Sequence, residues 1–283
     1  MAGTLYLVAT PIGNLGDMSL RAADTLREVD FIAAEDTRVT RKLLSHLDLH
    51  QPMVSYYEHN RIESGARILA RLQAGETCAL VTDAGTPAIS DPGEDLVVQC
   101  AAAGIPVISI PGPCALITAL TVSGQPTRRF SFEGFLSTNK KNRKAHLESL
   151  RSETRTMIFY EAPHKLMDTL HDMQSVFGAE RPLSLCRELT KLHEEVVRTT
   201  FGEALSHYEE QPPRGEFVLV VHGAPEAVPE PVPIDAAVAE VLSRQANGER
   251  LKDAVKTVAA AYGIPKNALY DAALAEKDAE SHC

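Results

Sequence analysis

Short apolar runs alternate with amphipathic stretches over the first 124 residues. The runs Leu5–Ala9, Phe31–Ala34, Met53–Tyr56, Ala79–Thr82 and Val107–Ile110 read as strands. Being apolar at consecutive positions, they suit strands covered on both faces. Helical spacing lies between them at Ser19–Glu28, Arg38–Leu47, Glu63–Gln73 and Leu96–Ala103. Alternation of this kind predicts a mostly parallel sheet. A second α/β pattern runs from about Gln125 to Gly223. Its strands are expected at Ser131–Gly134, Thr156–Tyr160, Pro182–Arg187, Glu195–Thr200 and Glu216–Val221, and its helices at Asn142–Leu150, Lys165–Phe177 and Gly202–Glu209. Late neighbouring strands with short links predict a mixed sheet.

Beyond these halves the pattern changes. Ala224–Pro233 (APEAVPEPVP) holds four prolines in ten residues, which predicts an extended, semi-rigid spacer. From Ile234 onward the chain reads as helices. Leu251, Ala254, Val255, Val258, Ala259 and Tyr262 make one apolar helical face, Gly263-Ile264-Pro265 stops that helix, and Lys266–Ala275 begins another. Ala259, Gly263 and Leu269 have helix-turn-helix spacing. Packing or dimerisation accounts for that spacing more readily than nucleic-acid contact does. The expected organisation is two α/β domains (1–124 and 125–223), a linker (224–233) and a helical tail (234–283).

Composition narrows the class. The 28 basic and 38 acidic side chains leave a net charge of −10, against a broad polyanion binder, duplex DNA or an anionic membrane surface. No apolar run reaches membrane-spanning length. The N-terminus lacks a basic, signal-like start. Five scattered cysteines without a CxxC pair predict neither a disulfide framework nor a metal site, and fit a reducing cytoplasm. The charge is uneven: net −6 over 1–124, 0 over 125–223 and −4 over 224–283. The balanced middle contains Lys140, Lys141, Arg143 and Lys144. That run is either a solvated helix start or a set of phosphate contacts.

Three loops follow strands and are rich in small residues. Thr10–Asp17 (TPIGNLGD) is neither GxGxxG nor a Walker loop, and a tight strand-to-helix turn explains it as well as a ligand does. Leu80–Gly93 (LVTDAGTPAISDPG) lies at the carboxyl end of a parallel strand, where open α/β sheets bind ligands. Within it Asp91 is expected to cap a helix starting at Pro92. Val107–Leu120 (VISIPGPCALITAL) turns sharply at Pro111-Gly112-Pro113. Cys114 there reads as a small packed residue, since no neighbouring His supports a nucleophile.

Taken in order, LYLVATPIGNLGD, AAEDTRVTRKLL, LVTDAGTPAISDPG and ISIPGPCALITAL resemble the tetrapyrrole-methylase-like fold of S-adenosylmethionine (SAM) methyltransferases. The order resembles the ribosomal RNA small subunit methyltransferase I family in particular. Similarity continues through FSFEGFL, FYEAPHKL, CRELTKLHEEVVRTT and RGEFVLVVHG, so it covers most of 3–223. Where tetrapyrrole methylases carry G-D-P, Ala84-Gly85-Thr86-Pro87 stands here. That departure leans away from a tetrapyrrole acceptor.

The resemblance implies two α/β domains with SAM in the cleft between them, a homodimer and a cytoplasmic location. It also implies 2′-O-methylation of a cytidine in the decoding region of small-subunit (16S) rRNA, free or in the assembled subunit. It assigns SAM to Asp83, Gly85, Thr86, Pro87 and Ile89, to Gly112, Cys114 and Ala115, and to Tyr160, Glu161, Leu189 and Thr190. The remaining readings are another acceptor on the same fold, such as a tetrapyrrole, and a helix-turn-helix regulator.

Methyl transfer to a ribose hydroxyl needs in-line positioning and a proton acceptor, and no metal. Glu35 and Asp36 are candidates to orient or deprotonate the hydroxyl, and Lys191 is a third candidate base. Asp36 could equally be a helix cap. Asn14 and Arg38 are candidate acceptor contacts, beside Lys140, Lys141, Arg143 and Lys144. Sequence alone does not choose among the three bases.

Overall fold

The computed structural model describes residues 2–225 and 233–280. Most of the expected proline-rich spacer, 226–232, lies outside the described residues. Of the described residues, those up to Ala224 pack as one compact unit and 233–280 as a second.

The first unit holds two five-stranded sheets. The first sheet is all parallel, in the order β3-β2-β4-β1-β5. Its strands are β1 (Leu5–Val8), β2 (Phe31–Ala34), β3 (Met53–Ser55), β4 (Cys78–Val81) and β5 (Val107–Ile110). The intervening helices are α1 (Leu20–Glu28), α2 (Thr37–His46), α3 (Arg61–Gln73) and α4 (Glu94–Ala102), and α5 (Ala115–Ser123) follows β5. Alternate side chains of β2 enter opposite cores. Phe31 and Ala33 join one cluster with Leu5, Ile68 and Leu80, while Ile32 and Ala34 join another with Val8, Leu26 and Ile110. This is why the sequence of β2 is apolar throughout.

The second sheet has the order β6-β7-β10-β8-β9. Its strands are β6 (Phe130–Phe135), β7 (Thr156–Glu161), β8 (Pro182–Arg187), β9 (Glu195–Thr200) and β10 (Phe217–Val221). Only β6 and β7 are parallel, so the sheet is mixed. Helices α6 (Lys140–Ser149), α7 (Leu166–Phe177) and α8 (Phe201–Glu210) accompany it. Phe217, Leu219 and Val221 face one core, shared with α7 and α8. Val218 and Val220 face another, where α5 lays Leu116, Ala119 and Leu120 against Ile158 and Cys186. That apolar helix seals the first half onto the second sheet, and each fully buried large aliphatic side chain contributes about 1.5–3 kcal/mol.

One local expectation fails. Asp91 does not cap a helix beginning at Pro92. Helix α4 starts at Glu94, and Gly93 is its cap without a side-chain bond. The chain passes through left-handed backbone at Ala88 (φ 67°) and Ser90 (φ 64°) before Gly93. A Cβ at Gly93 would lie 2.9 Å from the Leu80 side chain. This geometry delays the helix and leaves Asp91 in the loop.

The second unit contains α9 (Ile234–Ala246), α10 (Leu251–Tyr262) and α11 (Lys266–Glu280). Val238, Val241, Val255, Val258 and Leu269 form its core. Gly263 ends α10 with a left-handed cap (φ 65°). Among the described residues no helix is long and apolar enough to cross a membrane.

Candidate functional site

The carboxyl ends of parallel strands lie along one edge of a sheet. Strand β1 lies between β4 and β5, and β2 borders β4. The loops after β1, β2, β4 and β5 therefore meet at one edge, where open α/β sheets place ligands. Thr10 and Gly85 join two of these loops through paired backbone hydrogen bonds of 2.9 and 3.0 Å. The Thr10 hydroxyl donates to the Thr82 carbonyl at 3.1 Å. From the second sheet come the ends of β6, β7 and β8 and the start of β10.

Together these segments enclose a cleft of about 580 Å³. Its apolar lining includes Ile12, Ile89, Phe135, Leu189 and Val218, and its polar side carries Glu35, Asp83, Asp91, Glu161 and Glu216. Of the residues assigned to the cofactor by resemblance, Asp83, Gly85, Thr86, Ile89, Cys114, Ala115, Tyr160, Glu161 and Leu189 line it. Pro87, Gly112 and Thr190 do not. Gly112 packs its backbone against Ala9, 2.9 Å from where a Cβ would sit. The Thr190 hydroxyl is buried without a partner, next to the Gly13 backbone.

Several bonds hold the cleft in shape. The Tyr160 hydroxyl accepts the Leu116 N–H at 3.0 Å, joining β7 to the first turn of α5. Its ring meets Phe132 and Phe135 edge-on at 4.9 and 5.5 Å. Burial pushes its phenol well above the ordinary range. Buried Glu161 accepts from the Thr169 hydroxyl at 2.6 Å and the Ala162 N–H at 2.8 Å. The loop after β1 rests on the loop after β8: a Cβ at Gly13 would lie 2.4 Å from the Lys191 side chain.

The acidic side is a cluster of three carboxylates. Glu35 accepts from the Thr82 hydroxyl at 2.6 Å and the Asp83 N–H at 3.3 Å. Asp83 accepts the Asp36 N–H at 3.1 Å. Burial, then the Glu35 charge, raises the carboxyl pKa of Asp83. The same causes push Asp91 up to about 6.

The geometry commits several candidate residues to partners within the fold. Asp36 caps α2 and pairs with Arg38. It accepts the Arg38 backbone N–H at 2.8 Å and the guanidinium at 2.6 Å, and these bonds hold its carboxyl at about 2. It is a poor proton acceptor, and Arg38 is committed to it. Lys191 is gripped by Glu188 at 2.8 Å and Glu216 at 2.9 Å. These carboxylates outweigh burial and raise its pKa, so the ammonium is no base near neutral pH. Arg143 turns inward from the α6 surface and pairs with Asp172 at 2.6 Å, largely buried. That pair occupies its guanidinium within the fold. Lys140, Lys141 and Lys144 remain exposed, and no residue of α6 lines the cleft. Asn14 uses its side-chain oxygen to cap the short 3-10 turn Leu15–Asp17, accepting the Gly16 N–H at 3.0 Å. Cleft residues that the sequence reading did not single out for a site include Asp91, Phe135, Cys186, Glu216 and Val218. Asp91 lies within LVTDAGTPAISDPG, where an Asp-Pro pair has the pattern of a helix cap.

A family model of tetrapyrrole (corrin/porphyrin) methylases matches residues 4–205, and one of the RsmI C-terminal HTH domain matches 232–277. Ribosomal RNA small subunit methyltransferase I of Synechocystis sp. is 50% identical over 275 residues, covering 96% of this chain and 98% of its own. The chain belongs to the ribosomal RNA small subunit methyltransferase I family of tetrapyrrole methylases. Its Escherichia coli O157:H7 relative is 45% identical over 277 residues, covering 97% and 96% of the two chains. The Bacillus subtilis relative is 44% identical over 277 residues, covering 95% and 94%.

Solved structures agree on the fold of this family. A cobalt precorrin-4 methyltransferase aligns at TM-score 0.56 with 15% identity, covering 77% of this chain and 94% of its own. Uroporphyrin-III C-methyltransferase of Thermus thermophilus, complexed with S-adenyl homocysteine, aligns at 0.55 with 17% identity, covering 77% and 97%. Among the described residues no cluster of His, Cys, Asp and Glu suits a metal ion.

Proposed function

We propose that this protein transfers a methyl group from SAM to the ribose 2′-hydroxyl of a cytidine in the decoding region of 16S rRNA. The observation that carries the reading is the cleft at the joint edge of the two sheets, in a chain half identical to a ribosomal RNA small subunit methyltransferase I. The lining fits the cofactor. Ile12, Ile89, Leu189 and Val218 supply apolar walls for its uncharged parts. Asp91, on the polar side of the same space, supplies negative charge for its cationic groups. The start of α5 at Cys114 and Ala115 has no side-chain cap and is favourable to a carboxylate. When bound, SAM supplies an electrophilic methyl group.

The remaining chemistry falls to the chain. Positioning an acceptor for in-line attack supplies a large part of such a rate. Glu35, held by the Thr82 hydroxyl and the Asp83 N–H, is the proton acceptor in this reading, with Asp83 beside it orienting the ribose. The apolar lining limits water at the reacting centre. Lys140, Lys141 and Lys144 add phosphate contacts outside the cleft. The homodimer and cytoplasmic location implied by the family belong to the same proposal.

The test is a ribose-methylation map of small-subunit RNA from cells with and without the gene. One cytidine of the decoding region is expected to lose its 2′-O-methyl group in the deletion and regain it when the purified protein and SAM are added. A map with every ribose methyl group intact refutes the function.

A further inference from the structure

A second, smaller cavity adjoins the cleft. It measures about 200 Å³, and Thr82 and Asp83 form one of its walls. Asp83 also lines the cleft, so the two spaces meet at that residue. Apolar Leu15 and Val39 stand at the cavity with 47% and 38% of their surfaces exposed. The hydroxyl-bearing residues Thr10, Thr40 and Thr82 line it and are buried. Its volume falls below the ~300–1,000 Å³ of pockets for drug-sized ligands. It suits a fragment such as one nucleobase with part of its sugar, and is too small for a macrocycle.

Helix α2 forms one side of this cavity through Val39, Thr40, Lys42 and Leu43. On its other side a groove of about 660 Å³ is lined by Thr37, Arg41, Ser45 and His50. The helix contains Arg38, Arg41 and Lys42 and no acidic residue, although the surrounding half of the chain is acidic. Arg38 is neutralised by Asp36. Arg41 and Lys42 are exposed and make no ion pair among the described residues. Two unpaired cations thus flank α2, Lys42 at the small cavity and Arg41 at the groove on the other face of the helix, and the cavity shares Asp83 with the carboxylate cluster.

We infer that α2 carries the acceptor strand: one pyrimidine nucleoside of single-stranded RNA enters the small cavity between Leu15 and Val39, and Arg41 and Lys42 hold its flanking phosphates. This rests on the proposed RNA methyl transfer and adds the acceptor's seat. Unpaired nucleotides are the usual object of sequence-specific RNA recognition, their bases held between apolar or aromatic side chains. A nucleoside seated there has its ribose beside Asp83, at the boundary with the cleft. Lys42 meets one phosphate at the mouth of the cavity and Arg41 the next one across α2, which leaves the base to Leu15, Val39 and Leu43.

The test uses the full chain, S-adenosylhomocysteine to block turnover, and labelled small ribosomal subunits from cells lacking the gene. Val39→Trp, at an exposed position, fills the cavity, and Arg41→Ala/Lys42→Ala removes the cations. Val39→Trp is expected to weaken subunit binding at least tenfold, and the double variant to lower the salt slope by about 1.4 for two single-strand phosphates. Arg41→Lys/Lys42→Arg is expected to restore the slope. Cofactor affinity by calorimetry is expected to stay within twofold throughout, which separates these effects from misfolding. Subunit binding within twofold of wild type for Val39→Trp, with an unchanged slope for the double alanine variant, overturns the inference. So does a wild-type protein that does not bind the subunit. A wild type that binds the subunit but, with SAM in place of S-adenosylhomocysteine, methylates no ribose refutes the proposed reaction and leaves the binding result to judge the cavity.

Discussion

Helices α2 and α6 are a matched pair with different fates. Each has ten residues and several basic side chains, and each is capped by an Asp or Asn accepting first-turn N–H groups. Helix α2 follows the central part of a parallel sheet, buries Thr40, Leu43 and Leu44, and holds its N-terminus beside the cleft. Helix α6 buries only Leu147, and one of its cations has turned inward to Asp172. A basic run in sequence is thus ambiguous. Which carboxylates lie within reach decides whether a cation is spent on the fold or left for a partner.

The comparison can be broken at several points. The largest expected effect lies at the α2 end of the cleft: Glu35→Gln is expected to lower kcat by about 100-fold with cofactor affinity nearly unchanged, the scale of a lost general base. A kcat within threefold of wild type in single-turnover assays would move the proton acceptor elsewhere. Next comes stability. Arg143→Ala strands Asp172 in a largely buried site and is expected to cost about 2–3 kcal/mol in urea unfolding. Lys144→Ala is expected to cost close to nothing, and equal losses would contradict the structural role given to Arg143.

Asp91 makes a smaller, pH-dependent contribution. Its carboxyl titrates near 6 in the fold, against an ordinary value of 3.8. Ionisation therefore disfavours the folded state, and the wild type loses stability as pH climbs from about 4 through 6. Asp91→Asn is expected to be neutral at pH 4 and stabilising by about 1–2 kcal/mol at pH 8. A constant difference across that range would show that Asp91 ionises normally. The smallest effect belongs to α6. Lys140→Ala/Lys141→Ala/Lys144→Ala is expected to raise KM for the ribosomal subunit a few-fold, more at low salt than at high, with kcat unchanged. A fall in kcat would place α6 at the reacting centre.

Much of the fold was legible because it rests on local pattern. Strands β2, β5, β8 and β9 begin and end at the residues the sequence pattern predicts. The loops named from small residues after β1, β4 and β5 do gather at one edge, since parallel strand order brings them there. What escaped depends on contacts distant in sequence. Nothing near Lys191 announces that Glu216 will close on it, and nothing near Arg143 announces Asp172. The Asp-Pro pair at 91–92 looks like a helix start, but the left-handed turns at Ala88 and Ser90 take the chain elsewhere. Cleft walls from β10, such as Val218, are ordinary strand residues, and only the antiparallel pairing of β10 with β7 and β8 brings them to the site.

Strand β10 also sets the timetable of synthesis. It is the last strand of the first unit to leave the ribosome, yet it occupies the middle of its sheet. Until Phe217–Val221 emerge, β6–β7 and β8–β9 are two separate pairs with open inner edges and two half-built cores. The first sheet can close once Ile110 is available, while the second must wait for another hundred or so residues. Nascent chains of intermediate length therefore pass through a stage with unpaired strand edges, the kind of species that chaperones guard. Truncation just before Phe217 would arrest the protein there, removing the keystone of the second half while sparing every strand of the first.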